Sequence, residues 1–153
     1  MGLRWDNWLI LEIKHPNSLF YLTTILRFLW RILEEKKTVL YFYPKDGTPG
    51  CTREAKEFRD LAEEFDKENV VILGVNKDSV QSHKKFKDNN QLAFTLLSDP
   101  DGKVIKLYGV GRTLFWTARI TFIIDEQGII KKIYKKVKPK EHAKICLLDI
   151  SKI

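Results

Sequence analysis

Thr38-Val39-Leu40-Tyr41-Phe42-Tyr43-Pro44-Lys45-Asp46-Gly47-Thr48-Pro49-Gly50-Cys51 is the stretch on which the fold turns. The run from Thr38 to Tyr43 is apolar and stops at Pro44, which predicts a buried strand. Pro44 to Gly50 is rich in proline and glycine and reads as a loop. A helix is expected from about Cys51, because Ala55, Phe58, Leu61, Ala62 and Phe65 fall three or four apart on one face.

Working outward, Val70 to Val75 predicts a second buried strand and Ser79 to Asn89 a helix with Val80, His83 and Phe86 on one side. Leu92 to Leu97 leads into a turn at Asp99-Pro100-Asp101-Gly102, followed by a short helix from Val104 to Tyr108. Arg119 to Ile124 and Ile129 to Tyr134 read as strands joined across Asp125-Glu126-Gln127-Gly128, a hairpin signal. A last helix is expected after Pro139, a residue suited to a first turn. Strands alternating with helices, then a hairpin, then a helix, define an α/β class with a mixed central sheet flanked by helices. That order resembles the thioredoxin-like fold, and a fold alone does not give a function.

The chain of 153 residues, 44% hydrophobic and 31% charged, has the length and balance of one soluble globular domain. Its net charge of +7 is partly local, in Lys131, Lys132, Lys135, Lys136, Lys138, Lys140 and Lys144. No zinc-ligand spacing, RNA-binding aromatic signature or phosphate loop accompanies those lysines, so a solvated face is expected and no nucleic-acid partner. Two cysteines, Cys51 and Cys146, are too few for a disulfide scaffold and suit a reducing compartment. Ser18 to Leu33 comes closest to a membrane span, but Arg27 and Arg31 interrupt it. Asp6 sits where a secretory leader wants positive charge, so a cytoplasmic protein without membrane association is expected.

Chemistry is concentrated where the first strand ends. A tight loop there delivers Cys51 to the first turn of a helix, where unpaired backbone N–H groups and the positive helix end favour an anion. Thiols so placed ionise readily, with known cases at roughly 3.5–7.5, and the thiolate is the nucleophile. Thr48 can donate its hydroxyl to the sulfur or to a bound oxygen, or cap the helix. Pro44 lacks an N–H and can shield the sulfur, while Gly47 and Gly50 allow close backbone approach. His15, His83 and His142 show no partner pattern and read as surface or structural residues, and Phe115 and Trp116 as packing near the pocket.

The spacing Pro-x-x-x-Thr-x-x-Cys, within Tyr41 to Ala55, resembles the signature of the peroxiredoxin family. The wider run is similar to its Q-type branch, also called bacterioferritin comigratory protein, and the likeness continues through Phe58-Arg59-Asp60, Leu97-Ser98-Asp99 and Ala118 to Asp125. The resemblance implies reduction of hydrogen peroxide and organic hydroperoxides without metal or organic cofactor. It makes Cys51 the peroxide-attacking residue, with Thr48 and Pro44 in the pocket loop, Arg119 holding thiolate and peroxide oxygens, and Glu54 orienting the arginine. The expected partners are a peroxide and a thioredoxin-like or other thiol reductant, in a monomer or weak homodimer. A basic binding or holdase-like module that keeps the fold without turnover is the alternative. A thiol–disulfide oxidoreductase is disfavoured because no Cys-x-x-Cys exists.

Two departures from the family stand out. Lys56 occupies the position where many Q-type members keep a second, resolving cysteine, and Ser79 to Asn89 holds none either. A one-cysteine cycle is therefore expected, with Cys146 as the sole internal resolving candidate on an apolar face of the last helix. Residues 1–37, with Trp5, Trp8 and Trp30, carry nothing like the family's opening segment, so the domain is expected over 38–153. Codons for Leu11 to Ser18, read one base upstream, can spell Gly-Asp-Lys-Ala-Pro-Glu-Phe, the kind of peptide the family begins with. A frame error in 1–37 accounts for this; a genuine segment with a partner-binding helix from Leu19 to Leu33 is the other reading.

Overall fold

A computed structural model describes residues 35–113 and 116–153; the N-terminal expectations, His15 and Phe115 lie outside them. The elements run β1 (Lys37–Phe42), α1 (Pro49–Asp60), α2 (Ala62–Lys67), β2 (Val70–Asn76), α3 (Val80–Asn90), β3 (Thr95–Ser98), α4 (Lys103–Leu107), β4 (Arg112–Thr113), β5 (Trp116–Thr117), β6 (Ile120–Ile124), β7 (Ile130–Tyr134) and α5 (His142–Ile150).

β1 is central because its side chains are apolar on both faces. Val39 and Tyr41 point into one core with Ala55 and Phe58 of α1, Phe65, Phe86 and Ile150. Leu40 and Phe42 point into a second core with Ile105 of α4, Val110 and Phe122. Successive residues of a strand face opposite sides, so one apolar run builds both layers. The sheet order is β3-β2-β1-β6-β7, with β1, β2 and β3 parallel and β6 and β7 antiparallel to their neighbours. It is the expected mixed α/β sheet, thioredoxin-like, with helices on both faces. The small β4–β5 ribbon has no counterpart in the sequence reading.

Two turns form as their residues dictate. Asp99 accepts from the backbone of Lys103 and Ile105 at 2.9 Å each and so starts α4, while Gly102 takes a φ of +68°. Asp125 accepts from Gln127 and Ile129 and fixes the β6–β7 hairpin.

Several boundaries differ from expectation. The helix expected to run past Phe65 breaks at Leu61 (φ −103°, ψ 11°), which re-aims α2 so that Phe65 still meets Phe58, ring centroids 5.8 Å apart. α1 begins at Pro49 rather than Cys51, a proline at a first helical position where no N–H is missed. Pro139 belongs instead to the turn before α5, where the Glu141 N–H bonds Lys138 O, and the last helix starts at His142. Val80 is exposed as the first residue of α3 rather than buried beside His83 and Phe86. Arg119 stands just ahead of β6 rather than within it.

Candidate active site

β1 hands the chain to the loop with one further rung, the Tyr43 N–H on Val75 O at 3.2 Å. The loop is then pinned by Asp46. Its Oδ1 accepts from the Tyr43 hydroxyl at 2.7 Å and from Asn76 Nδ2 at 3.1 Å. Its Oδ2 accepts from the Ser82 hydroxyl at 2.7 Å and faces His83 Nδ1 at 2.8 Å. The Asp46 N–H in turn donates to Asp78 Oδ2 at 2.7 Å. Burial pushes the Asp46 carboxyl up, but the hydrogen bonds from His83, Tyr43 and Ser82 outweigh it and hold the group below its ordinary range. Gly47 turns the loop at a φ of +75°.

Thr48 occupies the N-cap position of α1 in extended backbone, and its carbonyl accepts the Thr52 N–H at 2.8 Å. Its hydroxyl makes no cap bond; it donates to Lys45 O at 3.3 Å. Pro44 sits half-buried at the head of the loop.

Cys51 lies in the first turn of α1 and is 1% exposed. Arg119 Nη2 donates to Cys51 Sγ at 3.3 Å. Arg119 Nη1 donates to Glu54 Oε2, forming a close ion pair with a carboxylate that is 0% exposed. Glu54 is one helical turn beyond Cys51, so both partners of the arginine share a face of α1. Burial pushes the Glu54 carboxyl up to about 7, against the pull of the Arg119 charge. Burial acts to lower Arg119, yet Glu54 and Cys51 more than offset it and keep the guanidinium charged. At Gly50 a methyl group would stand 3.4 Å from Arg119 Nη2 and 3.7 Å from Pro139 Cγ, so the arginine and the 137–140 segment close directly on the helix start.

Cys51 and Glu54 share the first turns of α1, and the fold brings the distant Arg119 onto both. Cys146 is elsewhere in the same apolar core, on α5, 0% exposed, and both thiols are free. Burial pushes the Cys146 thiol well up, and its Sγ lies 3.5 Å from His142 Nε2. His142 is itself buried, with Nε2 2.7 Å from Thr121 Oγ1, and burial pushes it down to about 4. His83 and His142 are thus structural residues rather than surface ones, and Trp116 is about half exposed (51%). The Asp46 cluster escaped sequence reading: Asp46 and His83 are 37 residues apart, and no spacing rule joins them. Among the described residues, no three His, Cys, Asp or Glu side chains gather so as to hold a metal ion. Nor is any helix there long and apolar enough to cross a membrane.

A strand–loop–helix that presents one buried cysteine to a paired arginine defines a class of thioredoxin-fold thiol proteins. Residues 29–133 match the AhpC/TSA family, and the chain belongs to it. Within that family its likeness is to the Bcp and peroxiredoxin Q branch. Peroxiredoxin Bcp of Bacillus subtilis is 45% identical over 114 residues, which cover 70% of this chain and 73% of the relative. A bcp peroxiredoxin of Coxiella burnetii is 49% identical over 117 residues, covering 72% and 78%. Among solved structures, the Xanthomonas campestris bacterioferritin comigratory protein is 35% identical with a TM-score of 0.75, covering 80% of this chain and 82% of its own. Peroxidoxin BcpB from Mycobacterium tuberculosis is similar at 35% identity and a TM-score of 0.76, covering 82% and 84%.

Proposed function

We propose that the protein is a thiol peroxidase that reduces hydrogen peroxide and organic hydroperoxides through a Cys51 thiolate and a sulfenic acid. The observation that carries this is the Arg119 fork, one nitrogen on Cys51 Sγ at 3.3 Å and the other on buried Glu54. A similar protein, that of Xanthomonas campestris, is described by its alkyl peroxide reduction activity. The Cys51 sulfur attacks one peroxide oxygen in line; the S–O bond forms as the O–O bond breaks. Arg119 steadies the negative charge passing from sulfur to the leaving oxygen, and Glu54 fixes the plane of the guanidinium. Thr48, whose hydroxyl rests on Lys45 O at 3.3 Å, turns it to the bound peroxide, and Pro44 covers the loop side of the pocket. Binding-module behaviour without turnover has no observation in its favour.

The cycle we propose is a one-cysteine cycle completed by an external thiol, which fits the burial of Cys146, and it is assigned to a cytoplasmic monomer or weak homodimer. A thiol held protonated in a core is a poor attacking group. The test is peroxide consumption with a thiol reductant present. Turnover by the wild type that disappears in Cys51→Ser and persists in Cys146→Ser is expected; persistence in Cys51→Ser sinks the assignment.

For residues 1–37 the proposal is a frame error in the coding sequence. Sequencing the gene decides it: codons at Leu11 to Ser18 that cannot yield the shifted peptide remove the idea.

A further inference from the structure

We infer that Cys51 and Glu54 hold a single proton between them across Arg119: Glu54 keeps it while Cys51 is a thiolate, and gives it up when the sulfur is oxidised. The inference rests on the peroxidase reading above and deepens it, giving Glu54 a proton to store as well as an arginine to orient.

One cation and two acids meet where water does not reach. Cys51 is 1% exposed and Glu54 0%. Both bond to the same guanidinium, Cys51 through Nη2 at 3.3 Å and Glu54 through Nη1. A thiolate together with a carboxylate would set two negative charges against one arginine. In so dry a site one of the two keeps a proton, and the pair titrates as a unit.

The geometry favours the carboxyl as its holder. Arg119 uses only Oε2 of Glu54, while Oε1 is buried and has no hydrogen-bond partner. An ionised carboxylate is held best by donors on both oxygens, and this one has a donor on one. A proton on Oε1 removes the charge and leaves Oε2 to accept from Nη1, so the fork that aims Arg119 at the sulfur survives in both states. Burial pushes the Glu54 carboxyl up to about 7 against the pull of Arg119, and the charge of Glu57 adds to the push. Cys51, by contrast, has the positive end of α1 on its side as a thiolate.

Among the described residues, the other acids and bases around the pair are committed. Tyr41 of β1 stacks on Phe58, one turn beyond Glu54, with ring centroids 4.9 Å apart. Burial, then the charges of Glu54, Cys51 and Asp46, raise its hydroxyl well up and keep it neutral. From α5, burial raises the Cys146 thiol, which also feels Glu54. Burial and the Arg119 charge lower His142 to about 4, so it is neutral at pH 7. Glu57 is turned to the start of α5, where it accepts the Ala143 N–H at 3.1 Å. Asp46 is held by the loop cluster.

The protons and charges balance. The thiolate attacks one peroxide oxygen; the S–O bond forms, the O–O bond breaks, and the proton of the attacked oxygen passes to the leaving oxygen. A sulfenate remains, still an anion on Arg119. The Glu54 proton moves to the sulfenate oxygen, which leaves a neutral sulfenic acid and a carboxylate as the counter-ion of the arginine. The site carries one negative charge before and after, and no proton is drawn from solvent. When reduction restores the thiolate, Glu54 takes the proton back.

The test counts protons. The full reduced chain is mixed with one equivalent of hydrogen peroxide at pH 7, in weak buffer with an indicator dye, and uptake is followed by stopped flow as Cys51 is oxidised. The wild type is expected to take up none. Glu54→Gln keeps an oxygen for Arg119 but cannot store the proton, and it is expected to take up about one per Cys51 oxidised. A Glu54 that only orients the arginine stays ionised throughout and gives the same count in both chains, so equal counts, whether none or one, overturn the inference. Infrared difference spectra of the wild type with isotope-labelled glutamate carboxyls need no variant. A protonated glutamate band that disappears on oxidation is expected, and a difference spectrum without it overturns the inference. A wild type that forms no sulfenic acid fails earlier, at the peroxidase reading itself.

Discussion

Arg119 spends one flat guanidinium on two partners, Cys51 and Glu54. Lysine offers a single point charge on a flexible stem and lacks the fixed planar fork that holds both in place. Arg119→Met is expected to lower kcat/KM for hydrogen peroxide by about 10²–10³-fold, the usual loss for one pre-aimed donor. Arg119→Lys should recover only a small part of it, read by steady-state peroxide consumption. Wild-type rates in Arg119→Met would remove the arginine from the mechanism. Cys51, Thr48 and Pro44 were legible because they sit in one contiguous run, where spacing along a strand, loop and helix start fixes their placement, whereas Glu54 was legible only through the family likeness. Arg119 was legible only through the likeness of its flanking residues. Asp46 and His83 were not, since their pairing depends on how α3 lies against the loop.

At the scale of elements, the loop between β1 and α1 is held by the Asp46 cluster more than by its own turn. Asp46→Ala leaves the polar groups of Tyr43, Ser82 and His83 without this partner, while Asn76 keeps Asp78 Oδ2 at 3.2 Å. A loss of about 2–4 kcal/mol is expected, with slower peroxide oxidation of Cys51. Urea unfolding and stopped-flow oxidation read the two effects; unchanged stability would show the cluster to be dispensable. Gly74 of β2 tests the packing behind Tyr41. A methyl group there would stand 2.7 Å from Leu96 Cδ2 and 2.8 Å from Tyr41 Cζ. Gly74→Ala is expected to lower stability by about 1–3 kcal/mol in the same urea assay through overpacking. Strand and helix order was readable because apolar period and turn residues agree over most of the chain. The break at Leu61 was not: Leu61 and Ala62 keep the helical spacing of α1, and only the packing of Phe65 beside Phe58 re-aims the chain.

Across the whole molecule, two buried groups set opposing pH responses. His142 is pushed down to about 4, so it takes a proton more readily unfolded than folded. Its contribution is present above its ordinary value of about 6.5 and is lost as pH falls through 4. Glu54, pushed up to about 7, contributes below about 4.5 and loses that as pH rises through 7. Between pH 4.5 and 6.5 the two oppose each other. His142→Gln removes the first alone, so the variant's stability deficit relative to wild type should shrink as pH falls from 7.5 to 4.5. Urea midpoints at the two pH values give this directly; a constant deficit would mean that His142 does not titrate on unfolding. No spacing in the sequence announced this group, because its burial comes from α5 closing over β6 and the Phe58 ring.

The most direct measurement is a sulfenic acid trap. The reduced protein is treated with one equivalent of hydrogen peroxide, the trap is added, and intact and peptide masses are taken. One adduct on Cys51 and none on Cys146 is the expected result. A folded protein whose Cys51 stays unmodified would contradict the peroxidase reading, and a Cys51–Cys146 disulfide would replace the one-cysteine cycle with an internal one.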